Sequence, residues 1–418
     1  MSKFKPGKIT FVLDGGAGSS AKGLRAANIW KNSKEPHTTF AVNTFMENAA
    51  HTVTHEDGTE YIYQCLSSIT SLGNYEKQYI SPGAVFALKT VLNEISRHGL
   101  TPKNLGIHPN VAIVQDYDIE YERGTIDFEG NPKKVQASSM LNIGSTLHGV
   151  GAARARRVLR RPDSVLARDV PELTPFICDT SEEILTRLNN GESGLMEIAQ
   201  GWQLSLFSRF FPKCTSRNCS IAAGLDDSML PPSVAGPVII NFRTFPIRVN
   251  SNKYIRNSDK KILTWDEWNS TPESDRTMVN GDSGGCYDDQ TELTWDQISE
   301  MAGKRLLEQT SLTKLPRRIY TFSRKNMLES VIHNYTGDDV YISVNFVNYV
   351  DGSVENKRGY NNVMTDKVIS WIQSNLSPVF RQLKDRKINV SGLYLGTWKT
   401  IDSSTFIDFS QTEQWIGD

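Results

Sequence analysis

Two short segments carry the residue types on which phosphate chemistry depends. The first is Phe11-Val-Leu-Asp14-Gly15-Gly16-Ala17-Gly18-Ser19-Ser20-Ala21-Lys22-Gly23, an apolar run ending in a glycine-rich turn with one lysine, before a helix-like stretch. Glycines let backbone N–H groups approach phosphate oxygens, a lysine adds a point charge, and a helix start favours an anion. The second is Asn48-Ala49-Ala50-His51-Thr52-Val53, where an asparagine and a histidine sit among small residues that permit close approach of a ligand. The loop is not a Walker A motif: its spacing differs, and Gly23 rather than Ser or Thr follows Lys22. Together the two segments point to phosphoryl chemistry.

Further along, Gly144-Ser145-Thr146-Leu-His-Gly149-Val-Gly151 leads into Arg154, Arg156, Arg157, Arg160 and Arg161. Hydroxyls and glycines before a helix make an anion site, and arginine suits phosphate, although most of these five arginines must form a solvated face. Thr313-Lys-Leu-Pro316-Arg317-Arg318 is a basic turn, and Asn345-Phe-Val-Asn348 ends a strand, where ligand loops lie in open α/β sheets.

The elements that must position these residues follow from local pattern. Lys8 to Leu13 reads as a first strand and Lys22 to Trp30 as the helix after the loop. Ala84 to His98 reads as an amphipathic helix closed by Gly99, and Asn110 to Glu120 has strand character. Arg154 to Arg161 is a basic helix face; Val238 to Phe245 and Val340 to Val350 are β-rich. Asp366 to Leu383 reads as a helix broken by Pro378. Thr264-Trp-Asp-Glu267 and Thr294-Trp-Asp-Gln297 have the form of capping boxes. Alternating strands and helices predict an α/β fold with a largely parallel sheet. No clear linker interrupts residues 1–418, so one elaborated domain is expected, with a polar surface excursion near 250–283.

Composition sets the outer bounds. The chain has 418 residues, 38% hydrophobic and 22% charged, with a formal net charge of -1. That balance argues against a nucleic-acid partner spread over the surface. No apolar run approaches the ~20 residues of a membrane span, and the N-terminal stretch lacks an apolar signal core. The five cysteines form no CxxC pair, which disfavours a zinc site and fits a reducing cytoplasm.

The order and spacing of the segments resemble the adenylosuccinate synthetase family, purine ligases that couple aspartate to the 6-position of IMP at the expense of GTP. Asp14 to Leu24 is similar to the family's first loop, Asn48 to Thr52 to its Asn-Ala-Gly-His-Thr, and Gly144 to Ala152 to its Gly-Thr-Thr segment. Glu197 to Gly201, Phe211 to Asn218, Arg248-Val249-Asn250 and Leu312 to Arg318 resemble its later motifs in order. The resemblance implies one large α/β domain, P-loop-NTPase-related, with a mostly parallel central sheet flanked by helices. It implies that Lys22 contacts phosphate and that His51 is the general acid in γ-phosphoryl transfer to the purine 6-oxygen. Ser19, Asn48, Ser145, Thr146, Gln200, Thr215 and Val249 would hold the nucleoside monophosphate, and Arg160 would reach the 5′-phosphate of a neighbouring subunit in a homodimer. Gly18, Ser20, Ala21, Lys22, Gly23, His51, Thr52, Arg317, Asn348 and Gly396 would hold the triphosphate, and Thr313 and Arg317 the aspartate. Ser19 and the Ala50 carbonyl would face Mg2+.

Three departures from the family pattern redirect the substrate. Its catalytic aspartate aligns with Ser19, which is smaller and leaves room for a purine 2-amino group beside N1. Asn348 replaces the carboxylate that reads guanine in GTP, so an adenine donor, ATP or dATP, is expected. Leu315 replaces an arginine near the ribose, consistent with deoxyribose. These changes resemble the PurZ branch of the family, associated with viruses whose DNA carries 2-aminoadenine. That branch makes N6-succino-2-amino-2′-deoxyadenylate from dGMP, L-aspartate and ATP. Without the aspartate, the base for N1 is either Asp14 or a water held by Ser19. The competing readings are an ordinary IMP- and GTP-using synthetase and an inactive nucleotide-binding homologue.

Overall fold

Ile9-Thr-Phe-Val-Leu-Asp14 forms strand β1, and all six residues are buried. Phe11 and Leu13 join one hydrophobic cluster while Val12 joins another, so β1 is covered on both faces. That double burial explains why the run is continuously apolar rather than alternating. The computed structural model describes residues 3–133, 143–248, 253–259, 263, 265–279, 283–309 and 315–410.

Eight further strands join β1 in a nine-stranded sheet: β2 (Thr38–Asn43), β3 (Lys77–Ile80), β4 (Leu105–Ile107), β5 (Ser193–Glu197), β6 (Ala235–Arg243), β7 (Val340–Asn345), β8 (Val390–Gly396) and β9 (Ser404–Asp408). Their order is β9-β8-β7-β6-β1-β5-β2-β3-β4. Every neighbouring pair is parallel except β8 and β9. This is the expected largely parallel α/β architecture, with an antiparallel edge.

The parallel arrangement brings the strand C-termini to one side. Asp14 of β1, Asn43 of β2, Glu197 of β5, Arg243 of β6, Asn345 of β7 and Gly396 of β8 all end there. Register aligns them: Glu197 stands beside Val12 and Asn43, and Arg243, Asn345 and Gly396 share a row. β1 lies between β5 and β6, at the centre of that edge, where ligand crevices form.

Helix α1 (Lys22–Lys31) follows the glycine loop, packing Ala26, Ile29 and Trp30 into the cluster that contains Val12. Two local expectations are corrected. Residues 84–98 do not form one helix: Val85–Ala87 pair in parallel with Ala112–Val114, and helix α2 (Leu88–His98) begins only afterwards, closed by Gly99 at φ 58. Residues 110–120 are likewise split. A strand over 112–114 gives way to helix α3 (Asp116–Arg123), whose start is a reciprocal Gln115–Asp118 cap. The basic helix α4 spans Val150–Val158. The helix over 366–383 breaks as expected, into Asp366–Asn375 and Ser377–Asp385, with Pro378 in the first turn of the second. Thr294 caps its helix through the expected box, while Thr264 lies outside the described residues. In the excursion near 250–283, Lys253–Arg256 and Arg276–Val279 pair as an antiparallel ribbon.

Candidate active site

The glycine loop is held from below by its own aspartate. Asp14 Oδ1 accepts from the Gly16 N–H at 2.6 Å and Oδ2 from the Ser20 N–H at 3.2 Å. Burial raises the Asp14 carboxyl above its ordinary range, against the pull of the Lys22 ammonium and these loop hydrogen bonds. Lys22, also buried, donates to the Gln200 carbonyl at 3.0 Å. Burial lowers its ammonium, and the charges of Asp14 and Glu197 oppose that shift. Gln200 adopts φ 54, a left-handed conformation that a non-glycine residue keeps only where its surroundings enforce it. Gly201 must be glycine, because a Cβ there would stand 2.3 Å from the Gly16 carbonyl oxygen.

His51 comes to the same place from the hairpin of His51–Thr54 and Glu60–Tyr63. Its ring packs 4.1 Å from the Phe45 ring, and its Nδ1 lies 3.6 Å from Glu197 Oε2. Glu197 is fully buried and accepts from Ser67 Oγ at 2.5 Å, from the Ser68 N–H at 2.7 Å and from Ser68 Oγ at 2.7 Å. Burial alone would raise its carboxyl, but His51 and the two serines hold it below its usual value. Gly23 has a steric role here: a Cβ would meet Ser68 Oγ at 2.6 Å and His51 Cβ at 3.5 Å. That explains why glycine, not a hydroxyl residue, follows the lysine. Burial first, then the Lys22 charge, push His51 down to about 4, so its imidazole is neutral near pH 7.

Beside this centre lies a cavity of about 450 Å³, which Ala17 of the glycine loop shares with Asn48, Ser145, Thr146, Gln200 and Thr215. Gln200 Nε2 donates to Asn48 Oδ1 at 2.8 Å, and Asn48 Nδ2 donates to Thr215 Oγ1 at 3.5 Å. The structure thus gathers five of the residues expected around the monophosphate into one wall, from segments up to 167 positions apart. Arg248 also lines the cavity, stacked 4.6 Å from the Phe210 ring.

Ser19 is exposed on the loop, at φ 56. Arg317 Nη1 donates to its hydroxyl at 3.1 Å, and Arg243 Nη1 donates to its carbonyl at 2.7 Å. Ala50 is exposed beside His51, whereas the Thr52 side chain points to solvent from the opposite face of its strand. Gly396 packs against Asn345, whose Oδ1 would lie 2.3 Å from a Cβ.

Other expected positions are corrected or fall elsewhere. At the start of α4, Glu122 Oε2 and Oε1 accept from the Gly149 N–H at 2.9 Å and the Gly151 N–H at 2.8 Å, so these two amides are taken. Asn348 is fully buried; its Nδ2 donates to Glu355 at 3.0 Å, leaving only Oδ1 as an acceptor without a partner. Leu315 is buried against Tyr254 and Leu263, so its apolar character serves packing under the ribbon. Arg160 is exposed and does not line the cavity of its own chain. Val249 and Thr313 lie outside the described residues. Sequence reasoning gave no role to Glu197, the Ser67–Ser68 pair, Glu122 or Arg243. Only Glu197, a carboxylate closing a buried strand, had a local signal.

No protein-family model matches the chain. The N6-succino-2-amino-2′-deoxyadenylate synthase of Vibrio phage phiVC8 is 30% identical over 348 residues, covering 82% of this chain and 86% of that protein. The chain belongs to this family. The synthase of Acinetobacter phage SH-Ab 15497 is 29% identical over 371 residues, covering 82% of this chain and 84% of its own. The cyanophage S-2L succinoaminodeoxyadenylate synthetase, solved with dGMP and with dATP as an energy donor, shares the fold with a TM-score of 0.68. That match has 24% identity and covers 95% of this chain and 94% of that one.

The neutral state of His51 has a measurable consequence. An unfolded imidazole with the ordinary value of 6.5 binds a proton that the folded one refuses until about pH 4. Unfolded chains thus bind more protons in that window, and stability falls as pH drops from 6.5 toward 4. In thermal melts across that range, His51→Asn is expected to flatten the pH dependence of Tm. An unchanged slope would assign it to other groups.

Proposed function

We propose that this synthase joins L-aspartate to the 6-position of dGMP, with ATP or dATP as phosphoryl donor, giving N6-succino-2-amino-2′-deoxyadenylate. The feature that carries this reading is Ser19: an exposed hydroxyl that accepts from Arg317, at the loop position which by resemblance corresponds to a carboxylate in adenylosuccinate synthetases. A purine 2-amino group beside N1 needs both space and an acceptor there, and a hydroxyl supplies both.

The chemistry runs in two displacements. The guanine 6-oxygen attacks the γ-phosphorus, the bond to the β-phosphate oxygen breaks, and ADP or dADP departs. The aspartate amine then attacks carbon 6, and the phosphorylated oxygen leaves as phosphate. Lys22 neutralises charge at the transferring group. Glu197 lies on the Nδ1 side of His51, so a proton on Nδ1 faces that carboxylate and Nε2 donates only when the ring is protonated. The charge of a bound triphosphate raises His51 toward that state, which couples the general acid to donor binding. Asp14 is taken up by the amides of its own loop, which favours a water held by Ser19 as acceptor of the N1 proton.

Among the described residues no group of three or more His, Cys, Asp or Glu stands together for a metal. Magnesium does not require one where phosphate oxygens and water fill most of its shell. The Ala50 carbonyl, at an exposed position, fits such a sparse donor set, and the ion would neutralise phosphate charge; the Ser19 hydroxyl, whose two lone pairs go to Arg317 and the 2-amino group in this reading, has none left for it. The unpartnered Asn348 Oδ1 acceptor suits the 6-amino group of adenine, while its Nδ2 gives one of its two N–H groups to Glu355. The five free cysteines accord with a host cytoplasm as the working compartment. Among the described residues no helix is long and apolar enough to cross a membrane.

A homodimer with shared sites completes the reading. Arg160 is exposed at the end of α4, next to Val158 and Leu159, which are 74% and 60% exposed. Apolar side chains so placed beside an arginine suit a protein–protein contact that delivers Arg160 to the neighbouring cavity.

The deciding assay crosses dGMP, GMP and IMP against ATP, dATP and GTP, with aspartate and magnesium, reading phosphate release and product mass. Turnover is expected with dGMP and an adenine donor, with the 2-amino group retained in the product. Turnover confined to IMP and GTP would overturn the assignment, and binding without turnover would favour an inactive homologue. His51→Ala should lower kcat by roughly a hundredfold or more while dGMP still binds. Mixing Arg160→Ala with His51→Ala subunits, each inactive alone, should restore about a quarter of wild-type activity, because half the dimers are hybrids with one native site of two. No recovery on mixing would remove the shared site.

A further inference from the structure

Ser19 at φ 56 and Phe346 at φ 63 are among the non-glycine residues at the site that hold left-handed backbone. Ser19 is the loop residue that faces the purine in the reading above. Phe346 precedes the short helix Val347–Tyr349 that carries Asn348. Such conformations are strained in residues with a Cβ and persist only where neighbours over-determine them. Both are held from one place, the C-terminal end of β6.

There, Arg243 Nη1 donates to the Ser19 carbonyl at 2.7 Å, and the next residue, Thr244, donates its hydroxyl to the Phe346 carbonyl at 2.7 Å. The Thr244 N–H also donates to the Asn345 carbonyl at 3.1 Å. Arg243 is 3% exposed and Thr244 fully buried. The guanidinium has little freedom: its Nη2 donates to Glu308, its Nε donates to the Phe245 carbonyl at 3.2 Å, and its plane lies 3.7 Å from the Phe346 ring centre. Glu308 is fixed in turn by the Tyr349 hydroxyl at 2.7 Å, and its carbonyl accepts from the Arg317 N–H at 2.9 Å.

We propose that Arg243 and Thr244 are positioning residues that set the acceptor loop at Ser19 and the donor-base segment at Phe346–Asn348 from a single buried point. Arg243 aims the Ser19 hydroxyl by holding its carbonyl, and Thr244 sets Asn348 by holding the turn before it. Adjacent residues at the end of one rigid strand fix the separation between the two substrates that must react in line. The assignment of substrates to the two sides rests on the function proposed above; the two backbone contacts do not.

The test compares Arg243→Met, Arg243→Lys and Thr244→Val, reading kcat and KM for dGMP and for ATP separately, with amide hydrogen exchange on the same proteins. Arg243→Met is expected to lower kcat/KM for dGMP by roughly ten- to a hundredfold and to leave KM for ATP within about twofold. Arg243→Lys should recover part of the loss. Thr244→Val should raise KM for ATP roughly fivefold and leave dGMP parameters near wild type. A purely structural role would lower kcat in both variants with both KM values unchanged, and that result would overturn the proposal. Should the wild type fail to turn over dGMP, the substrate assignment falls and exchange decides the rest. Arg243→Met should then speed exchange in residues 15–20, and Thr244→Val should speed it in 346–349 with 15–20 near wild type. Equal rates in all variants would sink the proposal on its own.

Discussion

A lysine ammonium buried between two carboxylates is the constraint on which this site depends. Lys22 lies beside Asp14 and Glu197, with burial opposing its charge. A cation taken out of water is tolerable only where opposite charge and hydrogen bonds surround it. Asp14 supplies that charge from the end of β1, Glu197 from the end of β5, and the Gln200 carbonyl supplies the acceptor. Each carboxylate has a second duty: Asp14 shapes the glycine loop through two of its amides, and Glu197 sits against His51. The same electrostatic balance that opposes the loss of charge on Lys22 thus shapes the glycine loop and places His51. It also accounts for the glycines, since Gly23 and Gly201 occupy positions where a Cβ would strike Ser68 or the loop backbone.

Such a centre needs a stiff frame, and the sheet provides it. The carboxylates project from central parallel strands buried on both faces, where side chains have few alternative packings. The histidine and the cavity wall come instead from hairpins and loops beyond the strand ends, which leaves room for substrate entry. Division of labour follows: fixed charges on strands, adaptable binding groups on loops. Glu122 illustrates the second half. By accepting from the Gly149 and Gly151 N–H groups at the start of α4, it orders that turn beside the cavity.

What was legible in the chain had local causes. The first strand, the glycine loop and the helix after it are written in contiguous residues, as are the Thr294 box and the Pro378 break. The strand at 85–87 was not, because its three residues continue an amphipathic pattern and become a strand only by pairing with 112–114, some 27 positions on. The helix at 116–123 was missed although its Gln115–Asp118 cap is local, since glutamine is an unusual first residue for such a box. Among site residues, those in short motifs were named in advance. Asn348 and Leu315 were named for their chemistry but not their surroundings: one amide proved committed to Glu355, and one leucine to the ribbon. Arg243 had no local signal, because its partners at Ser19 and Glu308 lie 224 and 65 positions away.

On the proposed assignment of Ser19 to the purine, those distant partners gain a role. A carboxylate in the loop would carry its own charge to the purine and to the metal, and it would bind both strongly enough to orient itself. A hydroxyl has no such grip. Its aim must come from the protein, through the backbone conformation beneath it and through a donor that fixes its lone pairs. Arg243 on the carbonyl and Arg317 on the hydroxyl supply both. Glu308 pairs with Arg243, so the guanidiniums orient Ser19 with a carboxylate beside them. On this argument, accommodating a 2-amino purine is not a single exchange of residues. It moves the task of orientation from a self-anchoring acid to a buried scaffold, and the price is a dependence on contacts far away in the chain.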